Sequence, residues 1–537
     1  MKQKIGYIIS GSLNEGLIMR IESPQEKLET IKTGKFVCIA GNNYSFFSLI
    51  TDLQLAVTHP EILLYPPEST NFLLTQIIKK QYMYVTARLK PMLMLTTQGE
   101  KLPIKTIPSH FVTVYEATTK DVAAIFGSER HEPKKYFSIG TPLDMSTPVC
   151  LNLEQFTERS NGIFGKTGTG KTFITRLLLA GLIKNDKAIN LIFDMHSEYG
   201  LQARQEDAHF SFVKGLKTLF PSKVAIFSLD PSSTRRRGST PDIEITIPYQ
   251  AVHVEDILSL QDELNLHATA FEAAHLLATR YKSEWLYILL THGHDIKELA
   301  QEIGAHPESL AALYRKLKRI ERLPFFVSKN KNSNACSVID QMIEYIDKGI
   351  SIIVEFGNFT STFCYLFIAN IITRRIHTEY IKKTEFFLGS QKTELEPKKL
   401  LITIEEAHKF LQPHLAKQTI FGTIAREMRK YYVSLLIVDQ RPSNIDQEIL
   451  SQIGTKIVAQ LHDEKDITSV LSGIHHASHL RTILASLDSK KQVLVLGHAI
   501  AMPVVIQTRE YNETFYRDIQ QVCTQDQISE TINELFI

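Results

Sequence analysis

Cysteine is scarce and scattered in this 537-residue chain. Its five cysteines, Cys38, Cys150, Cys336, Cys364 and Cys523, are odd in number, and none forms a C-x-x-C pair. That excludes a disulfide scaffold and a cysteine-built zinc site, and it suits a reducing cytoplasm. Charge of one sign is also lacking. The 60 Lys and Arg stand against 58 Asp and Glu, a net charge of +2 that demands no polyanion partner, so nucleic-acid contacts have to come from local patches. No apolar run approaches the roughly 20 residues of a bilayer span. The start, Met1-Lys2-Gln3-Lys4-Ile5-Gly6, shows no signal-peptide pattern, so the expected location is cytoplasmic, with no membrane partner. Tandem repeats and low-complexity tracts are absent too.

What remains is the composition of a globular protein, 43% apolar and 22% charged, long enough for two to four domains. Residues 1–135 carry short β-like runs such as Ile5–Ile9, Leu17–Ile21, Lys35–Ala40 and Tyr82–Ala87, closely spaced by Gly, Asn and Pro, which predicts a small barrel. Over 136–249 apolar strands alternate with helices, the pattern of a parallel α/β sheet. Residues 250–345 lose strand character and read as a helical insertion. The α/β pattern resumes over 346–510, and 511–537 reads as a polar helical arm.

The most specific motif is Gly165-Lys166-Thr167-Gly168-Thr169-Gly170-Lys171-Thr172, a complete P-loop between the strand-like Gly162-Ile163-Phe164 and a helix starting at Phe173. Its glycines let backbone N–H groups face phosphate oxygens. Lys171 brings a charge for the β- and γ-phosphates, the Thr172 hydroxyl is a Mg²⁺ ligand, and the helix aims its positive end at the anion. The expected ligands are ATP and Mg²⁺. Leu400-Leu401-Ile402-Thr403-Ile404-Glu405-Glu406 is a buried strand ending in two carboxylates. Glu405 suits Mg²⁺, through water, and Glu406 suits polarising an attacking water. A kinase does not need the second carboxylate, so hydrolysis is expected. The strands between the P-loop and this pair suit the RecA-like class.

Other residues keep two readings. Gln440, ending the strand Ser434–Asp439, is either a γ-phosphate sensor or a polar turn residue before Pro442. Arg426 and Arg429 share a helical face and are either solvated or the arginines that complete a neighbour's site in a ring. Arg159 lies six residues before Gly165, about 20 Å away along an extended strand, so it serves another subunit's nucleotide or is a surface arginine.

In this order the motifs resemble the HerA-type hexameric translocases of the FtsK–HerA group. The resemblance is carried by Ile163–Thr172, Asp194-Met195-His196-Ser197-Glu198-Tyr199-Gly200, Glu405-Glu406-Ala407-His408, Ile424–Lys430 and Gln440-Arg441-Pro442-Ser443-Asn444-Ile445-Asp446, behind an N-terminal HAS-like barrel. It implies a homohexameric ring with ATP sites between subunits, double-stranded DNA in the pore, and a nuclease or other effector docked on the barrel. It also implies Glu406 as catalytic base, Gln440 as sensor, and Arg426, Arg429 or Arg159 acting in trans. Met428 departs from the family's frequent Gly, and Met195 and Ser197 from its usual Pro and Gly. These departures put membership of the DNA end-resection branch in question against antiphage roles. An ATPase scaffold that gates an effector without moving DNA is the alternative function.

Weaker patterns have simpler readings. Asp194, His196 and Glu198 read as a loop near the nucleotide or the subunit interface, not a second metal site. His475, His476 and His479 lack a fourth ligand. Arg235-Arg236-Arg237-Gly238 reads as a flexible basic loop, and Arg315–Arg322 as a solvated amphipathic face.

Overall fold

The computed structural model describes the chain apart from residues 1–2, 23–30, 60, 62–63, 65–81, 144, 205–211, 259, 294, 329–336, 417–418, 474–476, 488–490 and 521–537. Contacts divide it into two units, Met1–Asn152 with Gln492–Arg509, and Leu153–Lys491 with the chain from Glu510 onward.

In the first unit, six antiparallel strands close on themselves in the order Gly16–Ile21, Lys4–Ser12, Thr113–Glu116, Phe36–Ala40, Ser45–Val57 and Met83–Leu95, the last pairing back to the first. Alternation along each strand sends Ile5, Ile8, Leu17, Met19, Val37, Ile39, Ile50, Leu89 and Val114 into a common core. The expected small barrel is there. Tyr136–Pro142, Val149–Asn152, Val504–Thr508 and Gln492–Gly497 form antiparallel pairs and belong to this same unit. In sequence their apolar runs fall within 136–249 and 346–510, and a short apolar run does not state its partner.

The second unit is an α/β domain. Its eight-stranded sheet is wholly parallel, in the order Ile243–Glu244, Val224–Ser228, Ser351–Glu355, Ile189–Asp194, Leu400–Glu405, Val433–Asp439, Asn161–Phe164 and Thr455–Val458. The inner strands are buried along almost their whole length, which is why their sequences are continuous apolar runs. The P-loop strand Asn161–Phe164 and the carboxylate strand Leu400–Glu405 do not touch. Val433–Asp439 lies between them, so residues beyond the C-terminal ends of all three strands converge on one crevice.

The expected helical insertion is also present. Ile247–Pro248 pairs with Phe326–Val327, and between these two short strands, from Val254 to Arg322, every described element is helical. Two sequence readings need correction or restriction. Arg235 and Arg236 end a helix, Pro231–Arg236, and are not in a flexible loop. Arg235 pairs with Glu244 at 2.6 Å and Arg237 with the wholly buried Glu355 at 2.5 Å. His475 and His476 lie outside the described residues, as does the side chain of His479. Among the described residues no helix is long and apolar enough to cross a membrane.

Candidate active site

The P-loop leaves the buried strand Asn161–Phe164 and feeds the helix Lys171–Lys184. Gly168 and Gly170 hold φ of 80° and 87°, the left-handed region that glycine enters without strain, and a Cβ at either would meet no atom within 4 Å. The loop is thus curved by backbone demand around open space, the shape of a phosphate cradle. Gly165 is needed for a different reason, since a Cβ there would stand 2.7 Å from the Ala459 Cβ. The Lys171 ammonium folds back onto its own loop, donating to the carbonyls of Gly165 at 2.7 Å and Lys166 at 2.9 Å. The Thr169 hydroxyl donates to the Lys166 carbonyl at 2.7 Å, closing the turn.

A cavity of about 310 Å³ opens here. It is lined by Thr167, Gly168, Gly170, Lys171 and Thr172 on one side and by Glu405, Glu406 and Gln440 on the other, with His196 and Glu198 at its edge. The size is that of a small-ligand site. Gln440 spans the two walls. Its Oε1 accepts from the Thr167 hydroxyl, and its Nε2 donates to Glu406 Oε1 at 2.6 Å. Glu406 holds a left-handed φ of 49°, an uncommon state for a non-glycine residue. That turn splits the adjacent carboxylates, one directed to Gln440 and the other to Tyr199.

Behind Glu406 stands His408, with Nδ1 3.7 Å from Glu406 Oε2 and 3.0 Å from Asp439 Oδ2. The buried Asp439 carboxylate also accepts from the backbone N–H of His408 at 2.6 Å and of Arg441 at 2.7 Å. The hydrogen bond to Asp439 raises the His408 imidazole above its usual value against the opposing pull of burial.

Glu405 is deeper. Burial pushes its carboxyl up to about 8, while the Tyr199 hydroxyl, donating to Oε1 at 2.7 Å, works the other way. The charges of Asp194, Glu198 and Glu406 raise it further. Burial likewise pushes Asp194 up to about 6, although the backbone N–H groups of Glu198 and Tyr199 donate to it at 2.8 and 2.9 Å. This cluster of buried carboxyl groups beside a phosphate cradle suits a divalent cation shared with a bound nucleotide, whose charge would favour their ionised forms. Among the described residues no group of three or more His, Cys, Asp or Glu could hold a metal by itself. Mg²⁺ commonly takes just one or two protein ligands beside phosphates and waters, so Thr172 and Glu405 fit that mode.

The candidate arginines lie elsewhere. Arg159 precedes the N-terminal end of its strand, the end opposite to the P-loop, with its stem packed against Gly454. Arg426, in the helix Ile420–Glu427, donates to the Ala416 carbonyl at 3.3 Å and pairs with Glu448 at 3.4 Å within the same chain. Arg429 belongs to the turn Met428–Tyr431, and its side chain falls outside the described residues.

Several supporting residues carried no sequence signal for their roles. Tyr365, from the helix Thr362–Ser390, accepts from the Glu405 N–H at 3.1 Å and donates to its carbonyl at 3.2 Å. Arg176, only 3% exposed, donates to the Glu198 carbonyl and so ties the cavity-edge loop to the P-loop helix.

Comparison with known proteins gives one family and several distant relatives. Residues 137–376 match the model of the helicase HerA central domain. The DNA double-strand break repair helicase HerA of Saccharolobus solfataricus is 23% identical over 532 residues, 94% of this chain and 91% of that protein. Its counterpart from Sulfurisphaera tokodaii is 24% identical over 94% of this chain and 93% of its own length. Among solved structures, VirB4 of Thermoanaerobacter pseudethanolicus is 12% identical, covers 70% of this chain and 96% of its own, and has a TM-score of 0.46.

Proposed function

We propose that this chain, which is similar to the HerA helicases and matches the model of their central domain over residues 137–376, hydrolyses ATP to drive movement along double-stranded DNA. The observation that carries the proposal is the hydrogen-bonded line from Thr167 through Gln440 to Glu406, which joins the phosphate cradle to the catalytic carboxylate across one cavity.

Backbone N–H groups from Gly165 to Thr172 hold the triphosphate. The Lys171 ammonium exchanges its two loop carbonyls for phosphate oxygens. Thr172 and Glu405 hold Mg²⁺, which when bound supplies positive charge to the phosphoryl oxygens. Glu406 takes the proton of the attacking water. Gln440, bonded to both the P-loop and Glu406, senses whether the γ-phosphate is in place. His408, braced by Asp439, fixes the far side of Glu406.

The proposal extends to a homohexamer in which Arg159, Arg426 or Arg429 completes a neighbour's site. It extends also to a nuclease or other effector docked on residues 1–135, acting in DNA processing or antiphage defence. The test is the ATPase rate of the purified protein with and without linear duplex DNA at low and moderate salt, alongside its mass in solution. Salt-sensitive stimulation of a hexamer is expected. A hexamer indifferent to DNA would overturn the motor and favour a scaffold whose turnover gates its effector.

A further inference from the structure

The helical insertion contains a unit that the nucleotide site does not use. The helix Ile296–Ile303 ends at Gly304, whose φ of 71° and ψ of 25° are left-handed. After Ala305 and His306 the chain enters the helix Pro307–Leu317, with Pro at its first position. A left-handed glycine stop and a proline start enclose a three-residue turn, and this tight change of direction is the joint of a helix-turn-helix.

The packing agrees with the joint. Leu299, Ala300 and Ile303 of the first helix and Leu310, Leu313 and Leu317 of the second are buried, with Ala300, Leu310, Leu313 and Leu317 at 0% exposure. Both helices pack on Ala268–Tyr281. The Tyr314 ring lies over Gly293, where a Cβ would stand 2.0 Å from it, which fixes the second helix to the loop before the first.

That packing leaves one face of the second helix uncovered. His306, Glu308, Arg315 and Lys316 are exposed, and the small residues Ser309, Ala311 and Ala312 are half-buried among them. From His306 to Arg322 the exposed Arg315, Lys316, Lys318, Arg319 and Arg322 face only two carboxylates, Glu308 and Glu321. This stretch therefore carries a local excess of three positive charges.

We propose that Ile296–Leu317 is a helix-turn-helix that seats on duplex DNA with Pro307–Leu317 in the major groove, giving the protein a sequence-reading contact separate from its nucleotide-driven motor. Small side chains at 309, 311 and 312 let the helix approach base edges. Arg315 has the fork that recognises guanine, and Glu308 at the helix start accepts from a cytosine amino group. Lys316 and Lys318 meet phosphates, while Arg319 is partly engaged by stacking at 4.0 Å on Phe363. None of this depends on ATP turnover.

The test uses full-length protein without nucleotide. Duplexes are selected from a random-sequence pool, and the enriched duplex and a scrambled one are titrated by fluorescence anisotropy against wild type, Arg315→Ala and Ala311→Glu. A short motif should be enriched. Each variant should lose about 5- to 150-fold on the enriched duplex and much less on the scrambled one. DNA-free ATPase rates should stay at the wild-type value, which shows that the variants fold. No enrichment, variants that bind the enriched duplex like wild type, or a face that retains a protein partner while showing no duplex preference would each overturn the proposal. DNA stimulation of the ATPase reads the motor and this selection reads the insertion, so either can fail without the other.

Discussion

Glu406→Gln changes a charge and little else. The new amide oxygen can still accept from Gln440 Nε2 where the carboxylate does so at 2.6 Å, and glutamine meets the same backbone demand at φ 49°. What disappears is the proton acceptor for water and the negative charge 3.7 Å from His408 Nδ1. A positioned general base contributes about 10²- to 10⁴-fold, roughly 3 to 5.5 kcal/mol of barrier. Turnover at saturating ATP should therefore fall by about that factor. Nucleotide affinity, set by the P-loop on the other wall, should stay within about ten-fold of wild type. Phosphate release and equilibrium titration with a fluorescent nucleotide read the two quantities separately. Gln440→Ala supplies the second arm. Losing a hydrogen bond to a charged carboxylate costs about 1.5–3 kcal/mol, so it should slow the wild type by about ten- to a hundred-fold. If Gln440 works through Glu406, the same substitution should cost almost nothing further in the Glu406→Gln background. Turnover by Glu406→Gln above about a tenth of wild type, against the 10²-fold minimum, would refute the assignment.

Three further outcomes follow from the geometry. Gly170→Ala meets no steric neighbour but must hold φ 87°, so it should lose about 1–2 kcal/mol of stability, and a melting temperature equal to wild type would contradict that backbone argument. His408 is raised above 6.5 by its bond to Asp439, so the stability it contributes is full below pH 6.5 and lost as pH rises through its folded value. Melting curves from pH 5.5 to 8.5 should show the gap between wild type and His408→Gln shrinking as pH rises, and a constant gap would count against the pair. Mixing Lys171→Ala with Arg159→Ala protein should restore part of the turnover if Arg159 serves a neighbour's nucleotide. No recovery in rings shown to be mixed would remove Arg159 from that role.

The parts of the fold that sequence reveals are those whose physics is local. The P-loop needs left-handed glycines in series, and the strands at 189–194, 351–355, 400–405 and 433–439 are buried on both faces, so each announces itself as an apolar run. The barrel likewise shows in its closely spaced turns. What stays hidden depends on register between distant segments. Gln440 reaches both Thr167 and Glu406 only because Val433–Asp439 is inserted between their strands, and the sequence gives no measure of that adjacency. Tyr365 sits among apolar residues of one helix with no sequence mark of its role, although its hydroxyl clamps the backbone of Glu405. Nothing in the sequence singles out Arg176, yet it is buried against the Glu198 carbonyl. The strands at 136–142 and 492–497 are the opposite case, since their apolar pattern is clear and only their partners are not.

The order of strands in the parallel sheet has a consequence for biosynthesis. Asn161–Phe164 is flanked by Val433–Asp439 on one side and Thr455–Val458 on the other, so the strand that bears the P-loop acquires both neighbours only when the ribosome has passed residue 458. Until then at least one of its edges is open, and before residue 440 is made Glu406 has no Gln440 to face. The helices between Val254 and Arg322 are bracketed by their own short strand pair and are free to form earlier. A chain that stalls midway would carry folded helices and a P-loop without a catalytic wall, and could not spend ATP. Closing the sheet around the P-loop strand therefore rests on long-range strand pairing, which is intrinsically slow.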